Sequence, residues 1–185
     1  MSYQFNPMRF SWYLEDRLAA SAYPGRYRKL ETDLAELKEK KIRVIINLND
    51  PLPPLPPEFA EHLELINESV LDCYPPSDGQ MRIILRHARR ALSENKPCLI
   101  CCRGGIGRTA TITSVLLMEI AGYPLGEALE LLRKDGRMPQ SLDQLEFIQN
   151  WEKKILRLKK LQAKKPKKRP RKKRPVRQPP KGHRS

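Results

Sequence analysis

CLICCRGGIGRTATI, residues Cys98–Ile112, joins an apolar run to a glycine-rich turn and then to a segment of helix-like composition. The run is the most strand-like in the chain, and it predicts a buried strand ending at two adjacent cysteines. Beyond the turn, RTATITSVLLMEIAG is apolar nearly all round and predicts a helix buried in the core. A strand that feeds a glycine turn opening a helix is a place to hold an anion. The first helical turn has unpaired N–H groups and a partial positive charge, and glycines let the backbone curl around the guest. Gly104, Gly105 and Gly107 supply that freedom. Arg108, six residues after Cys102, has the planar guanidinium to reach back and grip a phosphate through two parallel hydrogen bonds. The same field favours thiolate over thiol at Cys102, and a thiolate inside a phosphate cradle is placed to attack phosphorus. Cys101 points to the opposite face of the strand.

The spacing Cys-x5-Arg is a weak signal by itself. Only Cys102, however, has an arginine six residues on; Cys73, Cys98 and Cys101 meet glycines there. The preceding strand, the three glycines, Thr109 and the following helix make the joint signal specific. The competing reading is a pair of inert core cysteines before an ordinary strand-to-helix turn.

Outward from this stretch, strands and helices alternate. IRVIINL, Ile42–Leu48, reads as a buried strand, and HLELIN as a weaker one. YRKLETDLAELKEKK carries Leu30, Leu34 and Leu37 at helical spacing. Ser77 and Gln80 form a capping box in front of a periodic apolar pattern at Met81, Ile84, Leu85, Ala88 and Leu92. Further helices are expected at Leu125–Lys134 and from about Leu142. PLPPLPP reads as loop. The pattern predicts a single α/β domain, residues 1–160, with a central, mostly parallel sheet flanked by helices.

The charge is lopsided. Of the 36 Lys and Arg residues, 15 fall between Arg157 and Ser185, where there is no acidic residue. The remaining 21 balance 21 Asp and Glu, so the body is neutral and the high isoelectric point describes the tail. Residues 161–185, rich in Lys, Arg and Pro, are expected to be a disordered tail. The N-terminus lacks the layout of a signal peptide, and no apolar run approaches the roughly 20 residues that span a bilayer. Three of the four cysteines within five positions do not look like a disulfide framework. These features point to a reducing compartment: cytoplasmic, with nuclear or nucleoid association through the tail as the alternative.

CCRGGIGRT resembles the His-Cys-x5-Arg-Ser/Thr signature of the cysteine-dependent protein tyrosine and dual-specificity phosphatases, with Cys101 where the His usually stands. LDCYPPS is similar to the family's mobile acid loop, and RMPQSLDQLEFIQNWE to the C-terminal segment of its small members. SWYLEDRLAASAYPGR looks like their opening hairpin. The resemblance covers roughly residues 8–155 and implies a two-step reaction. Cys102 attacks phosphorus while Asp72 protonates the leaving oxygen. Asp72 then activates the water that hydrolyses the phosphocysteine. Arg103, Gly104, Gly105, Ile106, Gly107 and Arg108 hold the phosphate, Thr109 donates to the sulfur, and Gln144 helps place water. No metal or other cofactor is required, and His62, His87 and His183 are scattered. Cys101 is no strong donor, so the resemblance implies slightly weakened activation of Cys102 rather than its loss.

Each assignment has a plainer counterpart. Asp72 is otherwise a loop carboxylate, Gln144 a surface residue, and Arg137 either a cation near the site or a residue at a helix end. Cys73, Cys98 and Cys101 are candidates for a protective disulfide with oxidised Cys102, or else small hydrophobes; mass spectrometry after peroxide treatment separates these. By analogy with the compact members, the expected substrate is a protein phosphorylated on tyrosine or serine/threonine, acted on by a monomer. Arg103 is a weak cue toward phosphoinositides; an RNA 5′-phosphatase is the other enzymatic alternative. The tail predicts salt-dependent attraction to nucleic acid or another polyanion. The non-enzymatic alternative is a polyanion-binding module whose pocket only binds phosphate.

Overall fold

The computed structural model describes residues 6–163. Five strands form one sheet: β1 (Ser11–Leu14), β2 (Leu18–Ala22), β3 (Val44–Asn47), β4 (Glu64–Asn67) and β5 (Cys98–Cys102). Their order is β1-β2-β5-β3-β4. The β1–β2 hairpin is antiparallel, while β2–β5, β5–β3 and β3–β4 are parallel, so the sheet is mostly parallel as expected. Parallel strands require crossovers, and the helices supply them. They are α1 (Leu30–Glu39), a one-turn α2 (Pro57–Ala60), α3 (Asp78–Ser93), α4 (Gly107–Leu116), α5 (Leu125–Lys134) and α6 (Leu142–Ala163). α4 continues into a π-helical turn, Leu117–Ala121, which Gly122 ends with a left-handed conformation at φ +75°.

β5 is the central strand, fully buried, and its side chains divide between two cores. Cys98, Ile100 and Cys102 join the residues packed under α3, α4, α5 and α6. Leu99 and Cys101 join Met8, Phe10, Leu34, Leu37 and Phe59 on the other face. This alternation follows from the two-residue period of a strand and separates the adjacent cysteines. α4 is buried along its whole length, which accounts for its apolar character on all sides.

Local signals fare well. The Ser77–Gln80 capping box is formed in both directions. The proline cluster is loop except at its end, where Pro57 opens α2 at a position whose N–H would have no helical partner anyway. One feature was not legible: Asp33 of α1 is buried and accepts from Gly25 N–H (2.8 Å) and Arg28 Nε (2.7 Å), tying the turn after β2 to the helix. The expected tail lies outside the described residues, except that 161–163 continue α6. No helix among the described residues is long and apolar enough to cross a membrane.

Candidate active site

The loop after β5 lies at the carboxyl end of the parallel strands, between the ends of β2 and β3. Tyr23 N–H donates to Cys102 O (2.9 Å) and Leu48 N–H to Cys101 O (2.7 Å), so both neighbours hold the strand's end. Cys102 itself is buried, with 3% of its surface exposed. Gly105 has φ +66°, and a Cβ there would overlap Ala22 N and lie 2.7 Å from Ser21 O. Any side chain would therefore push the loop off β2. At Gly107 a Cβ would run into the Gln140 side chain. Gly104 is different: its Cβ would meet only Ile106, at 3.8 Å. Close approach of backbone thus demands glycine at Gly105; at Gly107 the obstacle is the end of an exposed side chain that can swing aside. Arg103 is exposed and Ile106 half-buried at the rim.

Arg108 occupies the first turn of α4 and is buried. Its guanidinium crosses to the end of β3 and the acid loop. Nη1 donates to Leu48 O (3.2 Å) and Val70 O (2.9 Å), and Nη2 to Asn49 Oδ1 (3.3 Å). The same Nη2 lies 3.0 Å from Asp72 Oδ1. From the sequence, this group is expected to grip phosphate alone. The structure adds a second task, joining two loops: Arg108 gives the buried Val70 carbonyl its donor and adds a second to Leu48 O, which already accepts from Val70 N–H (3.0 Å). Arg108 Nε stays buried without a partner. Leaving a buried donor unsatisfied costs about 1–3 kcal/mol, and a phosphate oxygen would satisfy it.

Asp72 is thereby brought to Arg108 although it lies 36 positions earlier in the chain; its side chain is 62% exposed. The hydroxyl of Thr109 is buried and has no hydrogen-bond partner, so its expected bond to Cys102 sulfur is not made here. Gln144 is not a solvated surface residue. It is buried; its Oε1 accepts from Gln140 N–H (2.8 Å) and its Nε2 donates to Tyr74 O (3.2 Å). With both ends of the amide engaged by backbone, it is a brace in this conformation. Arg137 does not face the site. It is buried against the hairpin, donating to Tyr13 Oη (2.9 Å), Ala20 O (3.0 Å) and Arg9 O.

Two of the other cysteines, Cys98 and Cys101, are fully buried thiols. Burial pushes the Cys98 thiol up to about 12, with a smaller push from Glu64. Burial raises Cys101 well above its ordinary value, helped by its neighbours Cys102 and Cys98. Both stay neutral thiols near pH 7, unsuited to nucleophilic attack. Cys101 Sγ is 3.9 Å from Asn47 Oδ1, a weak contact in the place usually taken by His. Four residues of strand separate Cys98 from Cys102 by about 13 Å, far beyond the roughly 7 Å limit between Cα atoms joined by a disulfide. That excludes Cys98 as a redox partner. Cys101 faces the opposite core, and Cys73, exposed on the acid loop, is left.

Sequence reasoning missed Asn49, Gln140 and Ser141. Asn49 holds Arg108, Gln140 walls the phosphate loop at Gly107, and Ser141 Oγ donates to Cys73 O (2.6 Å). Asn49 directly follows the predicted strand Ile42–Leu48, and its side-chain chemistry was the available signal. Among the described residues, no group of three or more His, Cys, Asp or Glu could hold a metal ion.

Residues 19–121 match the family model described as "Polymorphic toxin system, DSP-PTPase phosphatase". Solved structures agree in fold. A point-mutant form of Tk-PTP is 26% identical over 80% of this chain and 96% of its own, with a TM-score of 0.69. A mouse putative dual specificity phosphatase complexed with zinc tungstate is 17% identical over 86% of this chain and 96% of its own, with a TM-score of 0.70. PTPMT1 in complex with PI(5)P is 19% identical over 78% of this chain and 95% of its own, with a TM-score of 0.66.

Proposed function

Because this chain belongs to the DSP-PTPase phosphatase family described for polymorphic toxin systems, and so is a cysteine-dependent phosphatase, we propose that it hydrolyses phosphoproteins through a phosphocysteine at Cys102. The observation that carries this reading is the meeting of Arg108 with Asp72 at 3.0 Å, on the first turn of the helix that follows the Cys102 loop. Nucleophile, cation and carboxylate share one end of the sheet.

In the first step the Cys102 thiolate forms an S–P bond as the P–O bond to the leaving group breaks, and Asp72 gives its proton to that oxygen. In the second, the Asp72 carboxylate takes a proton from water, the water oxygen bonds to phosphorus, and the S–P bond breaks. Inorganic phosphate and the thiolate result. Arg108, through its unpartnered Nε, and the loop amides hold the equatorial oxygens in both steps. Arg103 adds charge at the rim, and Thr109, with a free buried hydroxyl, is suited to stabilise the departing thiolate.

Asp72→Asn is expected to lower kcat on p-nitrophenyl phosphate, assayed with EDTA and a thiol reductant, by about 10²–10⁴-fold. An unchanged rate would remove Asp72 from the mechanism. A phosphoprotein substrate is favoured because Arg103 is the sole extra cation in the loop, beside apolar Ile106. The lipid reading draws on the likeness to PTPMT1 with PI(5)P. Comparing phosphotyrosine and phosphoserine peptides with a phosphoinositide panel decides between them.

The tail is proposed to contact nucleic acid. The last turns of α6 present Lys153, Arg157 and Lys160 together, leading into the basic sequence. Affinity for a non-specific DNA duplex should fall steeply between about 50 and 200 mM salt, and truncation after Ala163 should remove most of it. Salt-independent binding would exclude a phosphate-backbone contact.

A further inference from the structure

The acid loop is held at both ends by two helix caps that share one sequence pattern. α3 opens with Ser77-Asp78-Gly79-Gln80 and α6 with Ser141-Leu142-Asp143-Gln144, each a Ser-x-x-Gln. In both, the serine hydroxyl accepts from the backbone N–H three residues on: Gln80 N–H at 3.2 Å and Gln144 N–H at 3.2 Å. That bond is ordinary capping. Three donors of the caps turn to the segment that carries Asp72, while the Gln80 and Gln144 carbonyl oxygens stay with their own caps, accepting from Ser77 N–H and Gln140 N–H. Gln80 Nε2 donates to Ser69 O (3.0 Å), Gln144 Nε2 to Tyr74 O (3.2 Å), and Ser141 Oγ to Cys73 O (2.6 Å). Asp72 lies inside this frame, and from within the site Arg108 adds its bonds to Val70 O and Asp72.

The segment needs such a frame. Cys73 has φ +63°, a left-handed conformation uncommon for a residue with a side chain. Such a backbone persists where surrounding contacts over-determine it. Cys73 and its neighbour Tyr74 accept the two bonds from the α6 cap, directly after the acid. Resemblance alone implies a mobile loop here; these contacts describe one fastened in its working position.

We propose that the paired Ser-x-x-Gln caps of α3 and α6 preset the general acid, with Ser141 as the principal positioning residue. Ser141 touches no reacting atom; it acts through Cys73 on Asp72. The proposal rests on the reading of Asp72 as general acid.

Ser141 does two jobs, and one substitution separates them. Ser141→Asp keeps a favoured N-cap, since an aspartate accepts the Gln144 N–H, but an ionised carboxylate has no proton to donate to Cys73 O. Ser141→Thr keeps both. The readout is kcat/KM on phenyl phosphate, whose leaving group needs a proton, against 2,4-dinitrophenyl phosphate, whose leaving group does not. Wild type, Asp72→Asn, Ser141→Asp and Ser141→Thr are compared, with melting temperature and inhibition by inorganic phosphate measured alongside.

Asp72→Asn should lose about 10²-fold or more on phenyl phosphate and little on the dinitrophenyl ester. Ser141→Asp should show the same selectivity, losing about 10-fold or more on phenyl phosphate for a small misplacement of the acid. Its melting temperature and phosphate inhibition should stay near wild type, and Ser141→Thr should behave as wild type. If Asp72→Asn is selective and Ser141→Asp is not, or if Ser141→Asp slows both esters equally, the positioning role is overturned while Asp72 stands. If Asp72→Asn itself shows no selectivity, the acid assignment fails and the proposal with it.

Discussion

Cys102→Ser is expected to abolish turnover of p-nitrophenyl phosphate while leaving the fold and phosphate binding in place. A serine hydroxyl in this cradle has no spare base to take its proton: among the described residues, the polar side chains held at the loop by hydrogen bond or ion pair include Arg108, Asn49, Thr111 and Asp72, and of these Asp72 is the one carboxylate. Asp72 is reserved for the leaving group, and Arg108 cannot accept a proton. The thiolate needs no such base, because it is the nucleophile in its own right. Serine is also slightly smaller than cysteine and meets a buried site at the end of β5, so packing changes little. The loop amides and Arg108 remain. Inorganic phosphate or tungstate should therefore raise the melting temperature of the variant as it does that of wild type, since a ligand that binds only the folded state stabilises it. Residual turnover near wild type would place the nucleophile elsewhere. Loss of both activity and anion-induced stabilisation would mean that the sulfur shapes the cradle as well as attacking.

The second large effect is expected at Arg108→Lys. A guanidinium that stabilises charge in phosphoryl transfer is worth about 10³–10⁵ in kcat, and lysine keeps the charge while losing the planar fork. In this protein the loss compounds, because Arg108 also joins Leu48 O, Val70 O and Asn49 to Asp72. One ammonium cannot serve all of these and a phosphate together. The variant should lose activity by at least about 10³-fold, lose stabilisation by phosphate, and melt below wild type, since the buried Val70 carbonyl loses the Arg108 donor and an unsatisfied buried acceptor costs about 1–3 kcal/mol. Activity within about tenfold of wild type would show that charge alone suffices and that the fork is dispensable. A loss of activity with phosphate stabilisation intact would assign Arg108 to the acid loop rather than to the anion.

The central strand, the glycine turn and α4 were legible because their signals are local. An apolar run, a turn and a helical composition lie within fifteen consecutive residues, and Cys102 and Arg108 stand six apart on that track. The capping box at Ser77 was legible for the same reason, being a bond between residues three apart. The second Ser-x-x-Gln, at Ser141, has the same local form. Its partners, Cys73 and Tyr74, are 68 and 70 residues away from Ser141 and Gln144, so no window of sequence shows what it grips. Gln144 was accordingly read as a water positioner or surface residue, whereas both ends of its amide are tied to backbone. Cys98 was kept as a redox partner because closeness in sequence was taken for closeness in space; an extended strand carries it out of reach.

The sequence by itself therefore determined the strand–loop–helix and the places on it of Cys102, the proposed nucleophile, and Arg108, since backbone preference and hydrophobic period act over a few neighbours. It also determined the neutral body and the basic tail. Tertiary structure alone decided which glycine the backbone demands, because the constraint at Gly105 comes from the main chain at the end of β2. It decided as well that Asp72 meets Arg108 and that two helix caps hold the loop between them. Those contacts join residues brought together only when the parallel strands pair in register and the crossovers dock above them, an outcome of the whole core that no short stretch encodes.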